Sequence, residues 1–204
     1  GRTCWRGQTP GRSGHRNRRQ DARRADKDTF GLGAFDVDEH GRPALVCNPV
    51  TGRTQRETQV YSIQEIDDFA PIFDAIAAAA AAQGLPADAA VAEYAPGQFE
   101  VNLRHVDNPL LACDQLVLLR RLIRGVARQH GLDATFMAKP FAGLAGSGLH
   151  AHVSLVDANN ANVCAGDGDF GESPLLRQCV AGLLETMTEC TLLFAPHANS
   201  YRRL

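Results

Sequence analysis

Residues 92–103 read AEYAPGQFEVNL, and this stretch decides how the chain folds. Pro96-Gly97 is the pair that a type II turn requires: Pro fixes φ at the first central position and Gly supplies a positive φ at the second. The segment therefore predicts a β-hairpin with strands near 89–94 and 99–104. A turn centred on Pro96-Gly97 sets Ala95 opposite Gln98, Tyr94 opposite Phe99 and Glu93 opposite Glu100, with both carboxylates on one face. Directly opposed like charges are unfavourable on a sheet. Either a positive charge sits between them, or both point into solvent and are screened there.

The chain around this hairpin has 204 residues, 44% of them hydrophobic, enough for one substantial core. No apolar run reaches membrane-spanning length, and the first 28 residues lack the apolar centre of a signal peptide, so a soluble cytoplasmic protein is expected. Six cysteines are scattered without CxxC or CxH spacing, which argues against a zinc cluster and predicts small core residues. Charge is uneven: residues 1–28 carry nine Lys/Arg against three Asp, leaving 12 basic and 20 acidic residues in the remainder. Such an arm can attract nucleic acid. It has almost no aliphatic content and Trp5 as its one aromatic, so 1–28 is read as a disordered or foreign extension, 29–204 as the folded domain, and nucleic-acid binding is not expected.

From about residue 29 the composition suits short strands, with a turn at 38–43. Ser62 and Glu65 have capping-box spacing and open a short helix near 63–69; a second, 71–83, ends at Gly84 and Pro86. Asn108-Pro109 begins a long helix up to Gly131, with Leu111, Leu118, Leu119, Leu122 and Val126 as its buried stripe. DATFMAK (133–139) and GLHAHVSLV (148–156) read as strands, and Ser173-Pro174 starts a last helix reaching Phe194. Hairpins alongside long helices predict an α+β fold in which helices pack on an antiparallel sheet.

Chemistry-bearing residues share one side of these strands. In GLHAHVSL, Gly148, His150, His152 and Ser154 point one way and Leu149, Ala151, Val153 and Leu155 the other. In FEVNL, Glu100 and Asn102 oppose Phe99, Val101 and Leu103. Carboxylates with an imidazole and no thiolate suit a hard cation, Mg²⁺ or Mn²⁺, better than zinc. A Gly-Ser-Gly entry at 146–148 permits close backbone approach to a ligand, and Arg202 and Arg203 offer donors to a carboxylate or phosphate. The glycines do not form a P-loop, since its Lys-Ser/Thr is missing.

EYAPGQFEVN, FMAKPFAGLAGSGLHAHVSL and LLFAPHANSYRRL, in this order and spacing, resemble the glutamine synthetase family, in particular its γ-glutamylpolyamine (γ-glutamylputrescine) synthetase branch. The similarity is clear from about residue 50 to 204. It implies a partial catalytic domain with a curved antiparallel sheet. It also implies ATP as a substrate, Mg²⁺ or Mn²⁺ as cofactor, glutamate and an amine as the groups joined through γ-glutamyl phosphate, and a homo-oligomer in the intact family. Residue by residue, it implies that Glu93 and Glu100 ligate one metal and His150 the other. His152 and Ser154 would lie against the nucleotide, Gly146 against the glutamate backbone and Arg203 against the glutamate carboxylate; no catalytic acid or base is identified. Ala145 stands where ammonia-using relatives carry Asn, which favours amine use. The Glu-x-Glu strand of the family is missing from GAFDVDEHG, and the family's later arginines and glutamates do not occur. The chain by itself is therefore expected to be inactive. The alternatives are an ammonia-using glutamine synthetase and a non-catalytic metal- or nucleotide-binding remnant.

Overall fold

A computed structural model describes residues 21–37, 43–58 and 60–203. It has six strands and five α-helices in the order β1 (Asp21–Val37), β2 (Pro43–Leu45), α1 (Ile63–Asp68), α2 (Ala70–Ala82), β3 (Ala87–Ala92), β4 (Gln98–Leu103), α3 (Pro109–Gln129), β5 (Leu132–Thr135), β6 (Leu149–Val156), α4 (Pro174–Thr186) and α5 (Thr191–Phe194). A 3₁₀ turn over Ser200–Arg202 follows.

All strands join one antiparallel sheet organised around β1. Lys27 pairs with Asn102 of β4 and also with His150 of β6, so β4 and β6 flank β1 on opposite edges. Beyond them along β1, Gly33 pairs with Leu45 of β2 on one edge and Asp133 of β5 on the other. Asp21 to Asp28, on the N-terminal side of the boundary expected at residue 28, form the half of β1 that pairs with β6. Residues 1–20 and the turn expected at 38–42 lie outside the described residues.

The helices begin where their caps place them. Ser62 Oγ accepts the Glu65 N–H at 3.2 Å, and Asn108 Oδ1 accepts from Leu110 and Leu111 at 3.0 and 3.2 Å ahead of Pro109. The stripe of α3 is rotated from the expected one. Ala112, Leu116, Leu119, Leu122, Ile123, Val126 and Ala127 are buried, whereas Leu111 and Leu118 are exposed. The expected last helix is broken between Thr186 and Thr191, and neither α4 nor α5 buries a residue. The strand expected over 133–139 is only β5, four residues long. The cysteines also differ from expectation: Cys113, Cys164, Cys179 and Cys190 are half-buried and Cys47 is exposed.

The core lies on the side of β4 that carries Phe99, Val101 and Leu103. Phe99 is fully buried, with the rings of Phe69 and Phe73 edge-on to it at 5.2 and 4.9 Å. Leu119 and Ile123 of α3 complete this packing.

One charged group is buried at the margin of the core. Glu65 is 2% exposed, and neither carboxylate oxygen makes a well-formed hydrogen bond. Burial pushes its carboxyl above the ordinary range, and the nearby Gln55 amide and Gly97 N–H offset part of that shift. An acid raised in the folded state is penalised once pH exceeds its unfolded pKa, and the penalty grows until pH passes the folded pKa. Glu65→Gln is therefore expected to raise stability at pH 7.5, on the order of 1 kcal/mol, with no gain at a pH below the ordinary carboxylate range. Thermal melts at the two pH values check this; an equal gain at both would contradict it.

Candidate functional site

The Pro-Gly turn forms as its residues dictate, with Gly97 at φ 67° and the Gln98 N–H on the Ala95 carbonyl at 3.0 Å. The strands on either side pair two residues away from the expected register. Ala92 faces Phe99 and Val91 faces Glu100, while the Glu93 N–H donates to the Gln98 carbonyl at 2.8 Å. Glu93 and Glu100 are thus not directly opposed. Tyr94 and Ala95 join the loop, and the strands run over 87–92 and 98–103. A slip of two residues preserves the face of every paired side chain; Glu93 stands just past the end of β3, opposite Gln98.

Glu100 has Val91 on one flank and Thr29 on the other. Its carboxylate is buried, and its Oε2 lies 4.0 Å from Nδ1 of His150. The two strands are separated by β1, so these side chains meet over the intervening strand. His150 is thereby an imidazole within reach of the buried carboxylate. His152 and Ser154 continue the same face of β6 at the positions paired with Ala25 and Arg23, roughly 7 and 13 Å farther along the strand.

Arg203 occupies the other end of the face. Its Nη1 donates to the Ser147 carbonyl at 2.6 Å. A Cβ on Gly148 would stand 3.1 Å from both terminal guanidinium nitrogens, and one on Gly146 would stand 3.0 Å from Cδ of Arg203 and 2.5 Å from the Ala138 carbonyl. The Gly-Ser-Gly entry therefore makes room for Arg203. The segment bearing it is clamped as well: Asn199 accepts from the Lys139 N–H at 2.8 Å and donates to the Lys139 carbonyl at 2.9 Å. Sequence reading missed this clamp and also the Gln98 side chain, because each joins residues distant along the chain.

Beside Arg203 opens a cavity of about 910 Å³ whose lining includes Arg120, Arg124, Phe136, Leu149 and Asn199. The guanidinium carbons of Arg120 and Arg124 stand 5.3 and 5.1 Å from the centre of the Phe136 ring. Among the described residues three arginines and no carboxylate line this cavity, which suits an anionic ligand.

Glu100 and His150 supply hard-cation donors. Among the described residues no three His, Cys, Asp or Glu side chains gather closely enough to hold a metal ion. That is a poor cage for an ion alone. It fits Mg²⁺ or Mn²⁺ carried on phosphate, since Mg²⁺ commonly takes one or two protein ligands and completes its shell with water and phosphate oxygens.

The comparisons with known proteins identify the family. The family model for the glutamine synthetase catalytic domain matches residues 29–204, and the chain belongs to that family. It is 45% identical over 157 residues to the γ-glutamylputrescine synthetase PuuA of Escherichia coli (strain K12), covering 77% of this chain and 33% of that protein. It is 38% identical over 143 residues to a γ-glutamylethanolamide synthetase of Streptomyces coelicolor, covering 70% of this chain and 30% of the relative. A solved structure of ligand-free GmaS superposes with a TM-score of 0.76 at 27% identity, covering 90% of this chain and 41% of that one. The chain thus spans about a third of the length of the curated relatives it matches. Among the described residues no helix is long and apolar enough to cross a membrane.

The two glycines separate in a test. Gly146→Ala drives Cβ into a backbone carbonyl and is expected to lose about 1–3 kcal/mol, whereas Gly148→Ala meets only the tip of a flexible side chain and is expected to lose less. Denaturant melts of both variants check this; equal losses would show that the guanidinium beside Gly148 does not yield as a flexible tip, or that Gly146 is not packed on the Ala138 carbonyl.

Proposed function

We propose that this catalytic sheet serves an ATP-dependent ligase that joins the γ-carboxylate of glutamate to an amine of the putrescine or polyamine type. The observation that carries the reading is the placement of an acidic, metal-suited pair and an arginine on one sheet face: Glu100 with His150 at one end and Arg203 at the other. Family membership supports ligase chemistry. The names of two relatives, which form γ-glutamyl amides of putrescine and ethanolamine, support an amine over ammonia, as does Ala145.

In this reading Glu100 and His150, with Glu93 beside them, hold Mg²⁺ or Mn²⁺ that arrives with the nucleotide. When bound, the cation neutralises phosphate oxygens during phosphoryl transfer. His152 and Ser154 lie along the nucleotide. Arg203 takes the glutamate carboxylate through its fork of N–H donors, and Gly146 leaves the backbone room to approach. Assembly into a homo-oligomer belongs to the same proposal, supported by the exposed apolar side chains of α4 and α5, among them Leu184, Leu192 and Phe194.

For the 204-residue chain by itself the proposal is ligand binding without turnover. Calorimetry should detect glutamate binding in the presence of Mg²⁺ and ADP. Arg203→Lys should weaken it by about tenfold or more, because an ammonium cannot reproduce a bidentate guanidinium contact. Failure of the wild-type chain to bind glutamate would overturn the reading. γ-Glutamylputrescine formed from ATP, glutamate and putrescine above a no-enzyme control would overturn the expectation of inactivity.

A further inference from the structure

The hairpin that carries Glu93 and Glu100 and the loop that seats Arg203 are separate pieces of chain, and one buried side chain connects them. Gln98 is 4% exposed although it lies on the polar face of β4. Its Oε1 accepts the Ala95 N–H at 3.0 Å, while the backbone N–H of Gln98 donates to the Ala95 carbonyl, also at 3.0 Å. The turn is therefore locked twice by the same residue. The other end of the amide, Nε2, donates to Ser147 Oγ at 3.3 Å, across 49 residues of sequence.

Ser147 is equally buried, at 7% exposure, and each of its polar groups is engaged. Its N–H donates to the Ala138 carbonyl at 2.8 Å, its hydroxyl receives Gln98, and its carbonyl receives the Arg203 guanidinium. Lys139, next to Ala138, is where Asn199 clamps the segment bearing Arg203. Arg203 is thus held to one loop by its backbone and by its guanidinium, and that loop is tied to the hairpin by Gln98.

We infer that Gln98 is a positioning residue: through Ser147 it fixes where the Arg203 guanidinium stands relative to Glu93 and Glu100. Both primary amide functions are needed, one for the turn and one for the loop. Glutamate, aspartate or leucine cannot serve both, since none carries an N–H donor and an acceptor together at neutral pH. The part of this inference that concerns glutamate rests on the ligase reading; the link from Gln98 to Arg203 does not.

The experiment reads Arg203 directly. The full chain is treated with phenylglyoxal, and modification at each arginine is followed by peptide mass spectrometry in the wild type, Gln98→Ala, Ser147→Ala, the double variant and Ser147→Thr. Each single alanine variant should speed modification of Arg203 by about three- to tenfold, the factor that one neutral hydrogen bond is worth. The double variant should exceed the larger single effect little, because both remove the same link. Ser147→Thr should restore the wild-type rate, and the rate at Arg177, remote from the site, should not change. An Arg203 rate unaffected by Ser147→Ala, or single effects that simply add, would overturn the inference. Ser147→Ala leaves the hairpin intact and keeps the test open if Gln98→Ala fails to fold. Glutamate titration of the same variants separates the two readings. If the wild type binds no glutamate, the ligase reading fails while the modification rates still judge the link.

Discussion

The constraint on which the structure depends is the pairing of β1 on both of its edges. Lys27 has Asn102 on one side and His150 on the other, and this places β4 and β6 within reach of each other over a single strand. Without β1 the hairpin and the histidine strand would be separate pieces, each with an unpaired edge. With it, a buried carboxylate from one meets an imidazole from the other. A carboxylate taken out of water is expensive unless it is compensated, so the contact ties the chemistry of the face to the integrity of the sheet.

How much of this was legible depended on the range over which a residue acts. The Pro96-Gly97 turn and the Ser62 and Asn108 caps are local, and the structure contains each of them; GLHAHVSL forms a strand, but its burial does not alternate, since Ala151 and Val153 are as exposed as His150 and His152. The hairpin register differs by two residues from the expected one because Tyr94 and Ala95 enter the loop, and turn type alone does not fix where the ladder begins. The direct opposition of Glu93 and Glu100 is lost with that slip, because Glu93 then faces Gln98. The stretch from Asp21 to Asp28 looked unlike a strand because Arg and Asp dominate it; its partners on β4 and β6, unseen in local composition, put it in the sheet. The broken last helix and the rotated stripe of α3 likewise follow from packing beyond the segment.

The face has two ends of opposite character. Glu100 and His150 form the acidic, metal-suited end, and Arg203 beside an arginine-lined cavity forms the basic one. An enzyme that brings a nucleotide phosphate to a carboxylate substrate needs such a division, with a cation at the phosphate and a guanidinium at the carboxylate. The glycines at 146 and 148 and the Asn199 clamp hold the basic end against the sheet, and membership of the glutamine synthetase catalytic-domain family gives the division its chemical context.

The central claim is that Glu100 and His150 receive a divalent cation together with a nucleotide. Calorimetric titration of the chain and of Glu100→Ala with Mn²⁺, first alone and then in the presence of ATP, tests it most directly. Two protein donors hold a bare ion poorly, so Mn²⁺ alone is expected to bind weakly and Mn²⁺ with ATP much more tightly, the tighter binding being lost in Glu100→Ala. Equal binding of Mn²⁺ and ATP by both proteins, or none by either, would contradict it.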